Sequence, residues 1–369
     1  MELLEVELRR LRMPLVTPFR TSKGTQQERD VLLVRVRTAE AEGWGECVAG
    51  PVPDYTSEHV AGAEQVLRDH LVPAVLAARE VEADGVGEIL AWVQGHRMAK
   101  ASLEAAVLDA ELRVAGESLS ARLGGTREAV DAGVAVGITG SVAELLDSVG
   151  GYLDEGYRRV KLKVEPGWDV EPVRAVRERF GDAVQLQVDG NAAYRLDDSP
   201  TLAALDPFDL LLVEQPLPAD DLVGHAELSR RMATPICLDE SIRSVGDATT
   251  AIALGACSIV NIKPGRVGGL LEARRLHDLC HGRGVPVWCG GMLETGIGRA
   301  ANVALASLPG FTLPGDLSAS GRYFRQDLTP PFVVEDGRLR VPVGPGIGVE
   351  PLMDVVDELT TSVERFGRG

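Results

Sequence analysis

Lysine, cysteine and aromatic residues are scarce in this 369-residue chain. Five cysteines without a CxxC pair indicate free thiols in a reducing cytosol rather than a disulfide framework. The six histidines show no zinc-ligand spacing. No apolar run approaches the ~20 residues of a membrane span. The N-terminus MELLEVELRRLRMPL is charged throughout and lacks the apolar region of a signal peptide. We therefore expect a cytoplasmic protein.

The formal net charge of −17 excludes whole classes of partner. A chain this acidic is a poor match for nucleic acid or an anionic membrane surface. The charged and apolar fractions are ordinary for a globular protein, so a large core can form. A small molecule remains as the expected partner, because local charge rather than net charge decides its binding.

The small number of lysines is the most informative feature of the composition. The 38 basic residues comprise 33 arginines and 5 lysines. Three of those lysines, Lys161, Lys163 and Lys263, lie at the ends of short apolar runs. Arginine does not release its proton usefully, whereas a buried lysine can act as a base. Lysine at these positions therefore indicates proton transfer.

The middle of the chain repeats one pattern, in which an apolar run ends in a charged residue: KLKVEP, LQVDGN, LLVEQP, ICLDES and IVNIKPG. The steps from Lys163 through Asp189, Glu214 and Asp239 to Lys263 are 26, 25, 25 and 24 residues. That is the length of a strand, a helix and two loops, which is typical of βαβ units with parallel strands. The spacing predicts an α/β fold, a (β/α)8 TIM-type barrel with its chemistry at the carboxyl ends of the strands.

Eight barrel strands are predicted, beginning in VDAGVAVGIT and continuing at 160–164, 184–189, 210–214, 235–239, 258–263, 285–289 and 311–316. The alternating N-terminal segments predict antiparallel strands, followed by a helix from Ser57 and a second helix ended by Gly116. We expect an α+β capping domain at 1–128, the barrel at 129–318, and a C-terminal segment at 319–369 that returns to the cap with a short helix near 354–362. The polar stretch 17–27 is predicted to be a long, mobile loop.

Three carboxylates close consecutive predicted strands, namely Asp189, Glu214 and Asp239. The carboxyl ends of neighbouring parallel strands meet at one edge, so these side chains should converge. Oxygen ligands without histidine or cysteine suit Mg²⁺, with Mn²⁺ or another divalent cation as a substitute. We predict one metal ion held by these three residues.

The lysines should flank this metal. Lys161 and Lys163 end strand two and Lys263 ends strand six, so in a ring of eight strands they face each other. A metal-bound carboxylate substrate could then lose its α-proton to Lys163, with the metal stabilising the enolate. Lys161, as a like charge beside Lys163, would disfavour protonation of that base. Lys263 would either return a proton from the opposite face or stabilise the enolate.

The motifs K-L-K, V-D-G-N, V-E-Q-P, L-D-E-S and N-I-K-P-G-R-x-G-G together resemble the enolase superfamily, muconate-lactonizing subgroup. The resemblance covers essentially the whole chain. The subgroup is marked by lysines on strands two and six, whereas the mandelate racemase type would have a histidine on strand seven, where VPVWCGG has none. The resemblance implies a metal-dependent enzyme, and an assembly of several identical chains is expected by analogy.

Finer features, including GHRMAK, GYLDEGY and the flap TPFRTS, resemble the o-succinylbenzoate synthase and N-acylamino acid racemase family. The first activity is a dehydration in menaquinone biosynthesis and the second is a racemisation; the residues support either. By resemblance Lys161, Asn191 and the loop of Gly291, Met292 and Leu293 line the substrate pocket, and Phe19 covers its hydrophobic end.

Two departures from the family occur at Gly190, which is usually alanine, and at Ala135, where relatives carry a serine that bonds the acyl group. A dipeptide epimerase would show an Asp-x-Asp pair where this chain has Asp316 alone. A cycloisomerase of the same subgroup is a further alternative. A barrel that binds without catalysis would have lost a ligand or a lysine, and none is lost.

Overall fold

The structure is a computed structural model that describes residues 1–368. Its N-terminal part contains the strands β1 (Glu5–Thr21), β2 (Gly24–Arg37) and β3 (Glu42–Cys47). Helices follow in the order α1 (Val60–Val66), a π-helical turn (Leu67–Leu71), α2 (Val72–Ala77), α3 (Ala83–Ile89), α4 (Arg97–Ala115) and α5 (Leu119–Leu123). The predicted N-cap Ser57 is wrong, because the helix begins after His59. Gly116 ends α4 in the left-handed conformation, as expected of a C-terminal glycine.

The stretch 17–27 is a β-hairpin rather than the predicted loop. Strands β1 and β2 stay paired to their tips, from Phe19 opposite Gln26 to Thr21 opposite Gly24, after a register shift that follows Pro14. Backbone pairing satisfies the peptide groups of this polar segment, so polarity alone was a misleading guide to its conformation. We call residues 17–27 the flap hairpin.

The barrel strands are short and buried. Between residues 1 and 368 a sheet of seven parallel strands runs in chain order, preceded by β4 (Ala129–Asp131): β5 (Gly133–Val136), β6 (Arg159–Lys163), β7 (Gln185–Asp189), β8 (Val213–Glu214), β9 (Ile236–Leu238), β10 (Ile259–Ile262) and β11 (Val287–Cys289). The predicted eighth strand, 311–316, makes single parallel bridges to both edges of this sheet, from Phe311 to Val287 and from Gly315 to Ala132. Pro314 has no N–H group, which limits a longer ladder there.

The helices that cover this sheet include five that begin at a residue whose side chain binds a free backbone amide group. Ser141, Asp169, Asp221, Ser244 and Thr295 each accept a backbone N–H in this way. The helices are α6 (Val142–Asp154), α7 (Val170–Phe180), α8 (Ser199–Ala203), α9 (Leu222–Ser229), α10 (Val245–Leu254), α11 (Pro264–Val267), α12 (Leu270–Gly282) and α13 (Gly296–Ala306). Short 3-10 helices lie at Leu196–Asp198, Asp206–Phe208 and Ser320–Arg322.

The C-terminal segment contains β12 (Arg338–Arg340), α14 (Met353–Leu359) and β13 (Thr360–Gly367). Strand β13 pairs antiparallel with β1, giving a sheet in the order β13-β1-β2-β3. The predicted helix near 354–362 is therefore cut short at Leu359, where β-branched residues continue as a strand.

Close packing holds β3 against α4 within the N-terminal part, and buried carboxylates join this part to the barrel. A Cβ at Gly43 or Gly45 of β3 would lie 2.1 Å from the Ala106 carbonyl oxygen or 2.0 Å from that of Ser102, so only glycine lets β3 approach α4. Glu46 accepts the backbone N–H of Thr295 at the start of α13, and Glu104 accepts that of Leu271 in α12. Carboxylates at helix N-termini are favoured by the helix dipole.

Candidate active site

The strand register places the proposed ligands side by side. Lys163 is paired with Asp189 between β6 and β7, and Asp189 with Glu214 between β7 and β8. Asp239 directly follows β9, and Lys263 directly follows β10. All five side chains therefore leave their strands at the same end of the sheet, and all are buried.

Both lysines of β6 are bound to carboxylates. The ammonium group of Lys161 lies 3.0 Å from Glu214 Oε2 and 3.4 Å from Asp189 Oδ2, and also contacts Asp316. Lys163 Nζ lies 2.5 Å from Asp189 Oδ2 and 3.0 Å from Asn191 Oδ1. Three acids thus surround Lys161 and offset its positive charge beside Lys163.

Asp239 is shared by three partners on the other side of the cluster. Its Oδ2 accepts from Lys263 Nζ at 2.8 Å, and its Oδ1 accepts the Tyr55 hydroxyl at 2.8 Å. The Arg266 guanidinium also donates to Oδ1. Lys263 Nζ lies 4.6 Å from the centroid of the Tyr55 ring, so the ring packs against the cation.

The surrounding groups change the pKa values of Lys161 and Lys263. Burial alone would lower the pKa of Lys161, but Asp316, Glu214 and Asp189 outweigh it and raise that pKa above its usual range. Burial would also lower the pKa of Lys263, but Tyr55, Glu214 and other acids outweigh it and raise that pKa above its usual value. In this arrangement of side chains Lys161 and Lys263 are protonated and neutralise the carboxylates around them.

The oxygen atoms of this cluster are chemically suited to a hard divalent cation. The side chains that carry them do not converge on one point in the present arrangement. Across residues 1–368 no three His, Cys, Asp or Glu side chains converge closely enough to bind one ion, because lysine and arginine occupy the carboxylates. Two buried acceptor atoms beside the cluster, Glu240 Oε2 and Asn261 Oδ1, lack a hydrogen-bond partner in the described part of the chain. An all-oxygen set of buried carboxylates with further unpaired acceptors is what Mg²⁺ prefers.

A cavity of about 300 Å³ opens above the cluster. It is lined by all nine of the predicted catalytic and substrate-binding residues, namely Phe19, Ala135, Lys161, Lys163, Asn191, Lys263, Gly291, Met292 and Leu293. The three proposed metal ligands lie below these residues, bonded to the lysines. The tip of the flap hairpin forms one wall, and the Phe19 ring packs edge-on against Tyr323 at a centroid distance of 6.5 Å.

The backbone is strained where it borders the site. Asn191, Gln215 and Leu293 adopt left-handed conformations with φ of 43°, 34° and 59°. Such residues cost on the order of 1 kcal/mol or more each and cluster at functional sites. Gln215 compensates by accepting the backbone N–H groups of Asp239 and Ser241, which fixes the loop after β9.

Several residues of the site carried no sequence signal strong enough to single them out. Tyr55 lies in a segment without regular secondary structure, and Arg29 in an ordinary alternating strand. Arg266 and Glu240 were part of the quoted motifs NIKPGR and LDES, which was the one available clue to them. Asp316, noted for lacking an acidic neighbour, is bound by Lys161 and by Arg159 at 2.7 Å.

The fold and this arrangement of strand-end residues define the class of protein: the chain belongs to the enolase superfamily. Residues 4–124 match the mandelate racemase / muconate lactonizing enzyme N-terminal domain, and residues 144–355 match the enolase C-terminal domain-like family. Enzymes of this superfamily use a divalent metal. Among the described helices, none has the length and apolarity required to cross a membrane.

Individual relatives cover nearly the whole chain. It is 64% identical to an N-succinylamino acid racemase of Amycolatopsis sp, covering 98% of both chains. It is 48% identical to an o-succinylbenzoate synthase of Geobacillus stearothermophilus, covering 98% of this chain and 97% of that protein. A solved structure of an enolase superfamily member from Listeria innocua superposes with a TM-score of 0.96 at 40% identity, covering 100% of both chains.

Proposed function

We propose that the protein removes the proton α to a carboxylate, acting as an o-succinylbenzoate synthase, an N-succinylamino acid racemase, or both. One observation carries the proposal: Lys163 and Lys263, bonded to different members of one carboxylate cluster, line the same cavity. The identities of 64% and 48% to proteins with these two activities support it.

Asp189, Glu214 and Asp239 would hold Mg²⁺, or Mn²⁺ in its place. Such an ion, when bound, supplies Lewis-acid binding of the substrate carboxylate. Lys163 takes the proton from the α-carbon on one side of the substrate, and Lys263 returns one from the opposite side to complete racemisation. In the dehydration Lys163 would take the α-proton and return it to the departing hydroxyl group, so that water is released, and Lys263 would stabilise the negative charge that develops. Asn191 positions Lys163 through the 3.0 Å contact between their side chains.

We propose that the chain divides at 1–128, 129–318 and 319–369, that it is cytoplasmic, and that it assembles with copies of itself. Phe19, Ala135 and Gly291 to Leu293 would contact the acyl group and the amino acid side chain. Lys161 would contact the substrate carboxylate.

A dipeptide epimerase is the main alternative and is disfavoured by one contact. Such an enzyme needs an acid that is available to bind an ammonium group. Asp316 is instead neutralised by Arg159 and Lys161. A cycloisomerase of the same subgroup has no specific observation in its favour.

The deciding experiment compares kcat/KM for the o-succinylbenzoate precursor with kcat/KM for N-succinylamino acids, with excess Mg²⁺ present. Turnover of either substrate supports the proposed chemistry, and the ratio assigns the main activity. Turnover of neither, with α-proton exchange from a dipeptide, would replace the proposal with the epimerase.

A further inference from the structure

Arg29 is a buried cation in the wall of the cavity. It lies on β2, is 2% exposed, and is one of the largest buried side chains of the protein. It lines the same cavity as Lys163 and Lys263, but it belongs to the N-terminal sheet rather than to the barrel. Its guanidinium makes no ion pair with the strand-end carboxylates among the described residues.

No described residue in contact with Arg29 neutralises its positive charge. Within residues 1–368 no carboxylate lies within 4 Å of its guanidinium, whereas the guanidinium of Arg266, a buried arginine beside the strand-end cluster, contacts Asp239. One Nη donates to the Val48 carbonyl oxygen over a long 3.5 Å, and its Nε has no partner in the described residues. Glu46, an acid that Arg29 influences electrostatically, is already bound by Thr295 and the amide of Gly298.

A buried guanidinium without an anion is costly, because burial removes its hydration and nothing replaces it. The planar group is suited to binding a carboxylate through two parallel hydrogen bonds. An anionic ligand in the cavity would supply the missing partner.

We propose that Arg29 binds a second carboxylate of the substrate, at the end of the acyl group remote from the metal ligands. This rests on the proposed function, in which an N-succinyl substrate already carries two carboxylates, and it assigns to Arg29 the selection of a charged acyl group over a neutral one. The cavity volume of about 300 Å³ suits a molecule of that size.

Two other cations near the cavity are weaker candidates. Lys23 at the tip of the flap hairpin is exposed, so water already solvates it. Arg322 is stacked with Tyr152 and Tyr323 at 5.0 and 5.2 Å and donates to the Ala135 carbonyl oxygen, and it is not part of the cavity wall.

The test compares two substrates that differ in one charge: an N-succinyl amino acid and the N-succinamoyl derivative of the same amino acid, whose terminal group is a neutral amide. We expect the unaltered protein to prefer the succinyl substrate ~10- to 100-fold in kcat/KM, the range for a hydrogen bond to a charged group. This measurement does not depend on the folding of any variant. Equal kcat/KM for the two would overturn the proposal, whereas activity on neither would instead overturn the proposed function.

Variants then assign the preference to a residue. Arg29→Gln should bring the succinyl-to-succinamoyl ratio close to one, mainly through KM, and Arg29→Lys should keep part of it because the charge remains. Arg322→Gln and Lys23→Gln should keep the full ratio. A ratio that survives in Arg29→Gln, or one that collapses in Arg322→Gln or Lys23→Gln instead, would contradict the assignment.

Discussion

Lys163 Nζ and Asp189 Oδ2 lie 2.5 Å apart, so a proposed base and a proposed metal ligand share a hydrogen bond. The contact follows from the register, because the two residues are direct partners between β6 and β7. Lys263 and Asp239 are linked in the same way at 2.8 Å on the other side of the cluster. The ammonium groups and a divalent cation would therefore compete for the same oxygens.

Metal removal should abolish activity, and metal addition should stabilise the fold. We expect no α-proton exchange in excess chelator and full recovery with Mg²⁺. A ligand that binds the folded state alone, at 100 times its Kd, adds about 2.7 kcal/mol to the free energy of unfolding. Thermal unfolding with and without Mg²⁺ measures this effect, and Asp239→Asn should reduce it. Full turnover by protein shown to contain no metal would refute the site.

The two lysines should differ in the substrate enantiomer that they serve. Lys163→Ala and Lys263→Ala should each lose exchange of the α-proton from one enantiomer by at least ~10²-fold, the scale of general base catalysis, and keep more of it from the other. Incubation of each enantiomer of an N-succinylamino acid in D₂O, followed by NMR, measures the exchange. Lys100→Ala, which replaces a lysine outside the wall of the cavity, is the control. Equal losses for both enantiomers would contradict bases on opposite faces.

The period of the strand-end residues made the cluster predictable, because each βα unit has nearly the same length. Asp189, Glu214 and Asp239 could therefore be assigned to adjacent strands without coordinates. Tyr55 could not be assigned, because its position depends on how an irregular segment packs against the barrel. Residues 311–316 form single bridges rather than the predicted eighth strand, because Pro314 lacks the N–H group that a longer ladder would require.

Removing the Tyr55 hydroxyl should weaken the metal site without emptying it. Tyr55→Phe keeps the ring against Lys263 but deletes the 2.8 Å hydrogen bond to Asp239. Groups that orient a ligand in this way typically contribute ~10- to 100-fold to metal affinity or activity. Titration of activity with Mg²⁺ should show a higher half-saturating concentration. Tyr157→Phe, which removes a hydroxyl outside the cavity, should not shift it.

Shortening Phe19 should affect substrate binding more than chemistry. Phe19→Ala removes the ring that packs on Tyr323 and opens the flap-hairpin wall of the cavity. We expect KM for a substrate with an apolar side chain to rise ~3- to 10-fold, in line with the ~0.5–1.5 kcal/mol that one aromatic contact contributes, and kcat to fall less. Val16→Ala, an exposed residue of β1, is the matched control. A fall in kcat at constant KM would place Phe19 in the chemical step instead.

The contact between Glu104 and α12 should make stability fall as the pH rises. Burial raises the pKa of Glu104 to about 7, against the opposing effect of the Leu271 and Leu270 amides. Between the unfolded pKa of ~4.3 and 7 the folded state keeps a proton that the unfolded state has lost, so the free energy of unfolding decreases by about 1.4 kcal/mol per pH unit. Above pH 7 this loss is complete.

Glu104→Gln removes that titration and keeps a hydrogen-bond acceptor. Its Tm relative to the unaltered protein should therefore rise between pH 5 and pH 8, whatever its value at pH 5. Glu111→Gln is the matched control, because Glu111 lies half-buried on the same helix and accepts the Ala83 amide. Its Tm difference should change less with pH. Parallel pH profiles for Glu104→Gln and the unaltered protein would mean that Glu104 is ionised in the folded state throughout this range, so that the contact with α12 is an ordinary charged helix cap.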